Sequence, residues 1–188
     1  MLGFPAPPAL DPDIFKYEMM QQVLSGMGGR LFINLRSKKS LAYTVYAGTA
    51  SSMHSGAFLT YLAGEASKEA SALEGMWQEL EGLKKSPVST EELDNARAAL
   101  IGGYTLNTQA ASSRVVDYIN CHLLQRPIPF APMYRELLQR ISAEHIMEIA
   151  NKTFQRESSA MGIIKGVTEK TDAEKMVLSS GSSPEQNQ

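Results

Sequence analysis

Apolar side chains recur at Ile14, Tyr17, Met20 and Leu24, close to the 3.6-residue period of a helix with one buried face. Asp11-Pro12-Asp13 precedes them and predicts the start: a carboxylate as cap, proline at the first helical position and a second acid in the first turn. Gly26, Gly28 and Gly29 end that helix. Leu31, Phe32 and Leu35 then give a short second helix its apolar side. The period next changes to that of strands. Leu41 to Ser51 is rich in β-branched and aromatic residues, Ser52 to Gly56 reads as a turn, and Ala57 to Gly64 reads as a partner strand, so an antiparallel hairpin is predicted. Ala66, Ala70, Leu73, Trp77 and Leu80 return to helical spacing, and that helix stops near Ser86-Pro87.

Ser89-Thr90-Glu91-Glu92 has the form of a capping box and opens a helix with Leu93, Ala96 and Leu100 inward. Gly102-Gly103 is expected to weaken or end it before a helix over residues 108–124. Arg126-Pro127-Ile128-Pro129 reads as a linker, 131–141 and 143–154 as two short helices, the second capped by Ser142, and 159–166 as a final strand. Leu2 to Phe4 reads as the end of a strand, with Pro5, Pro7 and Pro8 forbidding regular structure after it. Few strands, paired antiparallel and separated by a run of helices, make the fold class α+β: a mixed, largely antiparallel sheet packed on one face by several helices. The expected organisation is one domain over residues 1–168 and a disordered polar tail over 169–188.

Composition narrows the function classes. A chain of 188 residues, 43% hydrophobic and 20% charged, suits one soluble globular domain with a real core. The net charge of −2 supplies no basic field for nucleic acid. One cysteine, Cys121, excludes an internal disulfide framework and reads as a packed helix residue without a base beside it. No apolar run is long enough to span a membrane, and the proline-rich N-terminus lacks the plan of a signal peptide. The compartment is left open, with a soluble bacterial protein of the cytoplasm or periplasm as the expectation. Starting at Met1-Leu2-Gly3-Phe4, already within a strand, suggests a piece of a longer protein.

The stretch from Leu24 to Tyr43 organises the rest. It runs from a helix end through a glycine turn, Arg30-Leu31-Phe32, Leu35-Arg36 and Leu41-Ala42-Tyr43 into a strand. This order resembles the second domain of the insulinase and pitrilysin family of zinc metallopeptidases, which includes the mitochondrial processing peptidase. The family pattern there is a glycine run, Ser-Arg-Leu-Phe, Leu-Arg-Glu-Lys and Gly-Leu-Ala-Tyr; Ser37 stands at its glutamate and Ser40 at its last glycine. The resemblance extends more loosely to about Val167. It implies the same α+β sheet-and-helix domain and no zinc site in this half. Zinc is expected in a separate catalytic domain or subunit, carried by a His-x-x-Glu-His motif that this chain lacks.

The resemblance also implies roles for Arg36 and Tyr43: substrate binding and oxyanion stabilisation, offered in trans to the zinc domain. A guanidinium and a phenol are both donors, and donors preorganised at a developing negative charge lower a barrier by several kcal/mol in a dry cleft. Taken without the resemblance, the pair is a surface arginine and a half-buried strand tyrosine. The histidines offer less. His145-Ile146-Met147-Glu148-Ile149 puts isoleucine where a second zinc ligand would stand, and His54 and His122 have no second ligand at a useful spacing. Arg30, Lys38 and Lys39 read as a solvated basic cluster, and the ten methionines as core filler. No Gly-Lys-Ser/Thr follows the glycines, which argues against a phosphate loop.

Two functions remain open. In the first, the chain is the non-zinc domain of a metalloendopeptidase, inactive alone, whose partners are a catalytic zinc-binding domain or subunit and a peptide held by backbone pairing at a sheet edge, in a homo- or heterodimer. In the second it is a non-catalytic structural subunit, like the core proteins of the respiratory cytochrome complex. An unrelated α+β binding domain is a third reading, if the resemblance is accidental.

Overall fold

The computed structural model describes residues 1–166. Four strands, β1 (Leu2–Ala6), β2 (Thr44–Ser51), β3 (Gly56–Ala63) and β4 (Ala160–Met161), form a sheet in the order β2-β3-β1-β4. Every pairing is antiparallel, so the sheet contains no parallel ladder among the described residues. Six α-helices accompany it: α1 (Ile14–Leu24), α2 (Glu69–Lys85), α3 (Thr90–Asn107), α4 (Ala111–Leu123), α5 (Ala131–Gln139) and α6 (Ala143–Thr153). Between α1 and β2 lies a π-helical segment, Phe32–Lys38.

Alternation along the strands sets the layers. Leu2 and Phe4, Val45 and Ala47, and Phe58 and Thr60 are buried on one face. Phe4 meets Trp77 of α2 edge-on at 5.7 Å, and Phe154, at the end of α6, packs edge-on against both Phe4 (5.2 Å) and Phe58 (5.5 Å). Tyr17 of α1 completes the cluster and shares a buried 2.6 Å hydrogen bond with Thr153. The opposite face carries Tyr46 stacked on Tyr61 at 5.1 Å, and among the described residues no helix covers it.

The start of α1 departs from expectation: the helix begins at Ile14 with Asp13, not Asp11, at its N-cap and no side-chain capping bond, while Asp11-Pro12-Asp13 forms the turn before it, closed by Asp11 Oδ1 accepting from the Asp13 backbone N–H at 2.8 Å. Both halves of the Ser89–Glu92 box are formed as the spacing predicts. Ser142 caps α6, with His145 closing its box through Nδ1.

Several boundaries differ from expectation. β1 continues through the exposed Pro5 to Ala6, because proline there needs no donor. β2 begins at Thr44 rather than Leu41; residues 39–41 are spent turning out of the π-helical segment, and the Leu41 N–H donates back to the Leu35 carbonyl. Gly102-Gly103 does not interrupt α3, which runs on to Asn107, where the Thr108 hydroxyl and amide both bond the Tyr104 carbonyl. The final strand is two residues long, β4, rather than the whole of 159–166. Ala66 and Ala70 are exposed; the buried face of α2 is Ala72, Gly75, Met76, Trp77, Leu80 and Leu83. The expected tail, 169–188, lies outside the described residues.

Candidate functional site

The glycine turn after α1 is built by close approach. Gly26 has φ +82°, and a Cβ on Gly29 would stand 2.2 Å from the Ser25 carbonyl oxygen, so these two positions require glycine. Arg30 follows and enters the body of the protein: Nε and Nη2 donate to the two carboxylate oxygens of Glu92 at 2.6 and 3.0 Å. It is not part of a solvated basic cluster. The same carboxylate accepts from Ser89, and these donors hold Glu92 well below the usual carboxylate range, at about 2, with Arg30 the main cause.

The π-helical segment is fastened along its length. Leu31 and Leu35 are buried, the Asn34 amide donates to Glu79 at 2.8 Å, and Lys39 reaches Gln78 at 3.1 Å. Its wider winding shows in the Lys39 N–H donating to the Asn34 carbonyl five residues back, a geometry frequent at functional sites. Arg36 projects from this segment into solvent, with its guanidinium 5.0 Å from the centre of the Phe32 ring.

Tyr43 stands just before β2, its N–H donating to the Ala63 carbonyl at 2.8 Å. Its side chain is 62% exposed, so it is not a half-buried strand residue. The phenol donates to Glu65 Oε1 at 3.0 Å, and this bond is the main reason that the Tyr43 phenol is raised and the Glu65 carboxyl lowered from their ordinary values. Lys68 bonds both Glu65 (3.3 Å) and the Ser40 carbonyl (3.2 Å). Arg36 and Tyr43 thus flank one junction, both accessible, but neither bonds the other among the described residues. Glu65, Lys68, Asn34 and Glu79 escaped the reading of the sequence. Only the hairpin register, which sets Thr44 opposite Ala63, brings Glu65 near Tyr43.

Beside Glu65 an apolar groove of about 640 Å³ runs between α2 and the end of the sheet, lined by Leu62, Leu73, Met76, Met161 and Ile163. The outer edge of β2 is partly closed: the amides of Ala47 and Thr49 donate to Ser25 Oγ (3.2 Å) and Gln21 Oε1 (2.8 Å) of the α1 side. Zinc does not fit these side chains. His54 and His122 are exposed and apart, His145 is engaged in its cap, and no group of three or more potential ligands converges among the described residues.

Residues 1–100 match the family profile described as the Peptidase M16 inactive domain. The chain belongs to the M16 peptidase family, as its inactive domain. It is 31% identical over 116 residues to a protein named uncharacterized zinc protease YmxG of Bacillus subtilis, covering 61% of this chain and 28% of that protein. Over 138 residues it is 27% identical to the non-peptidase homolog YmxG of Helicobacter pylori, covering 73% of this chain and 32% of that one. The chain therefore spans about three tenths of these relatives. Among solved structures, the M16 fold recurs in a protease from H. pylori (TM-score 0.74, 22% identity, 84% of this chain and 38% of that one). It recurs also in the inactive peptidase domain of a putative zinc protease from Bordetella parapertussis (TM-score 0.72, 19% identity, 86% and 88%). Complex III from Candida albicans contains it as well (TM-score 0.73, 11% identity, 84% and 40%). These three likenesses speak for fold alone. Among the described residues no helix is long and apolar enough to cross a membrane.

Proposed function

We propose that this M16 inactive domain works as one wall of a composite metalloendopeptidase site, offering Arg36 and Tyr43 to a peptide whose scissile bond is attacked at a zinc centre on another domain or subunit. The observation that carries the reading is the pair itself. Two long polar side chains are presented to solvent from a backbone junction that is otherwise clamped by Arg30–Glu92, Asn34–Glu79 and Lys68–Ser40. Preorganised backbone with accessible polar heads is the arrangement that positions a substrate. Arg36, a permanent cation, suits a developing oxyanion or a peptide carbonyl. The groove beside Glu65 has room for an apolar side chain of an extended peptide. With Ala47 and Thr49 already bonded from α1, the peptide's backbone would pair elsewhere than along that part of β2.

A structural, non-catalytic role is the second reading. It is favoured by the relative named a non-peptidase homolog and by the fold's presence in complex III. The two separate in one experiment: this chain, joined to or mixed with a zinc domain of the family, is assayed on a peptide library. Arg36→Ala and Tyr43→Phe should each lower kcat/KM at least about tenfold with folding unchanged, the size of one lost transition-state donor. Unchanged cleavage in both variants, or no cleavage by a folded, zinc-loaded assembly, would leave the structural role.

A further inference from the structure

We infer that Glu65, steadied by Lys68, is the positioning residue of Tyr43: it fixes the phenol and takes its only hydrogen, so that Tyr43 meets a peptide as an acceptor until that hydrogen is released. This rests on the composite-site reading and assigns a partner within it.

The geometry supports it at four points. Gly64 approaches Leu41 so closely that a Cβ would stand 2.5 Å from the Leu41 carbonyl oxygen, which locks the exit of β3 against the entry to β2. The Ala63 carbonyl holds the Tyr43 amide at 2.8 Å, Lys68 holds the Ser40 carbonyl at 3.2 Å, and Glu65 holds the phenol at 3.0 Å. Residues 63–68 thus form a cradle for 40–43. Within it, Lys68 and the Ser67 hydroxyl (3.4 Å) both point at the Glu65 carboxylate, so its direction is set by more than Tyr43.

The hydrogen count gives the consequence. A phenol has one hydrogen and two lone pairs, whereas an ionised carboxylate can only accept. With the hydrogen on Glu65, Tyr43 presents lone pairs, complementary to a peptide N–H. Donation to an oxyanion requires the phenol hydrogen to turn from Glu65 to the substrate. That step exchanges one hydrogen bond for another and moves no proton between atoms.

The test uses the whole chain with its tyrosine rings carbon-13 labelled at Cζ, Tyr43 being assigned by its loss in Tyr43→Phe. In Glu65→Gln the Tyr43 signal should titrate at lower pH than in the wild type, while the other tyrosines and the thermal midpoint stay in place. Glu65→Asp should restore part of the difference. An unmoved Tyr43 titration in Glu65→Gln overturns the inference, whatever the assay with the zinc domain shows. If Tyr43 shifts, kcat/KM for peptides in the zinc-domain assembly should fall about three- to tenfold. A shift with unaltered cleavage would instead reject the composite-site reading and leave Glu65 as the partner of a tyrosine without that role.

Discussion

At the scale of single residues, Thr49 and Glu92 mark the two extremes of hydrogen-bond satisfaction. Thr49 Oγ1 is buried without a hydrogen-bond partner among the described residues, although its own amide is satisfied by Gln21. An unpaired buried hydroxyl costs about 1–3 kcal/mol, so Thr49→Val, which keeps the branched shape, should leave stability unchanged or raise it by about 1 kcal/mol in urea unfolding. Glu92 is the opposite case, with every oxygen occupied by Arg30 or Ser89. Its carboxyl is lowered from 4.5 to about 2. A lowered folded value means that the stabilisation is fully present above pH 4.5 and disappears as pH falls toward 2. Glu92→Gln should therefore cost about 1 kcal/mol at pH 6, the Glu92 carboxylate being a third exposed and partly screened, and almost nothing near pH 2. A pH-independent difference would contradict this origin. The capping half of Glu92's role was legible in Ser-x-x-Glu, a local spacing. The Arg30 half was not, because 62 residues separate the partners and only packing of the glycine turn on α3 joins them.

Among the elements, the junction from the π-helical segment to β2 shows most clearly where local pattern stops. The apolar positions Leu31 and Leu35 marked a helical segment, and both are buried. Its π winding has no periodic signature in seven residues and arises where the chain must swing from α1 into the hairpin. Ser40 bears the cost: it has φ +51°, at the position where the resembling family pattern has glycine. A left-handed conformation costs an L-residue about 1–2 kcal/mol, against about 0.5–1 kcal/mol for the extra freedom glycine loses on folding. Ser40→Gly should then be neutral to stabilising by about 1 kcal/mol, and Ser40→Val should lower the thermal midpoint. The carbonyl that Lys68 holds is retained in both, so a loss of stability in Ser40→Gly would show that the clamp, not the dihedral, governs this turn. The Gly102-Gly103 pair, which does not end its helix, teaches the converse. Two glycines weaken a helix but do not end it when Ala96 is buried before them and Tyr104 after them packs on Phe130 and Tyr134.

For the whole molecule, the division of stability follows from which helices touch the sheet. Helices α1, α2 and α6 bury Tyr17, Trp77 and Ile149 around the Phe4–Phe58–Phe154 cluster, a single aromatic and aliphatic core. Helix α4 joins it through one residue. Cys121 is its one buried residue, while Val115, Val116, Ile119 and Leu123 are each more than half exposed. The Tyr104 phenol ties it to α3 by donating to Asp117 at 2.9 Å, and the Arg126 amide closes its C-terminal end on the Cys121 carbonyl at 2.8 Å. Opening a segment costs only the contacts it breaks, so amides of α4 should exchange with solvent through local opening, at a free energy well below that of global unfolding. Amides of α1, α2, β2 and β3 should exchange only with global unfolding. Native-state hydrogen exchange in rising denaturant distinguishes the two classes, since local opening is nearly independent of denaturant and global opening is not. Tyr104→Phe removes the bond to Asp117 and should speed exchange in α4 about fivefold, the equivalent of about 1 kcal/mol, without altering α1 or the hairpin. If α4 and the sheet instead exchange as one cooperative unit, the aromatic packing of Tyr104 with Phe130 and Tyr134 binds the helical hairpin to the core more tightly than its burial implies.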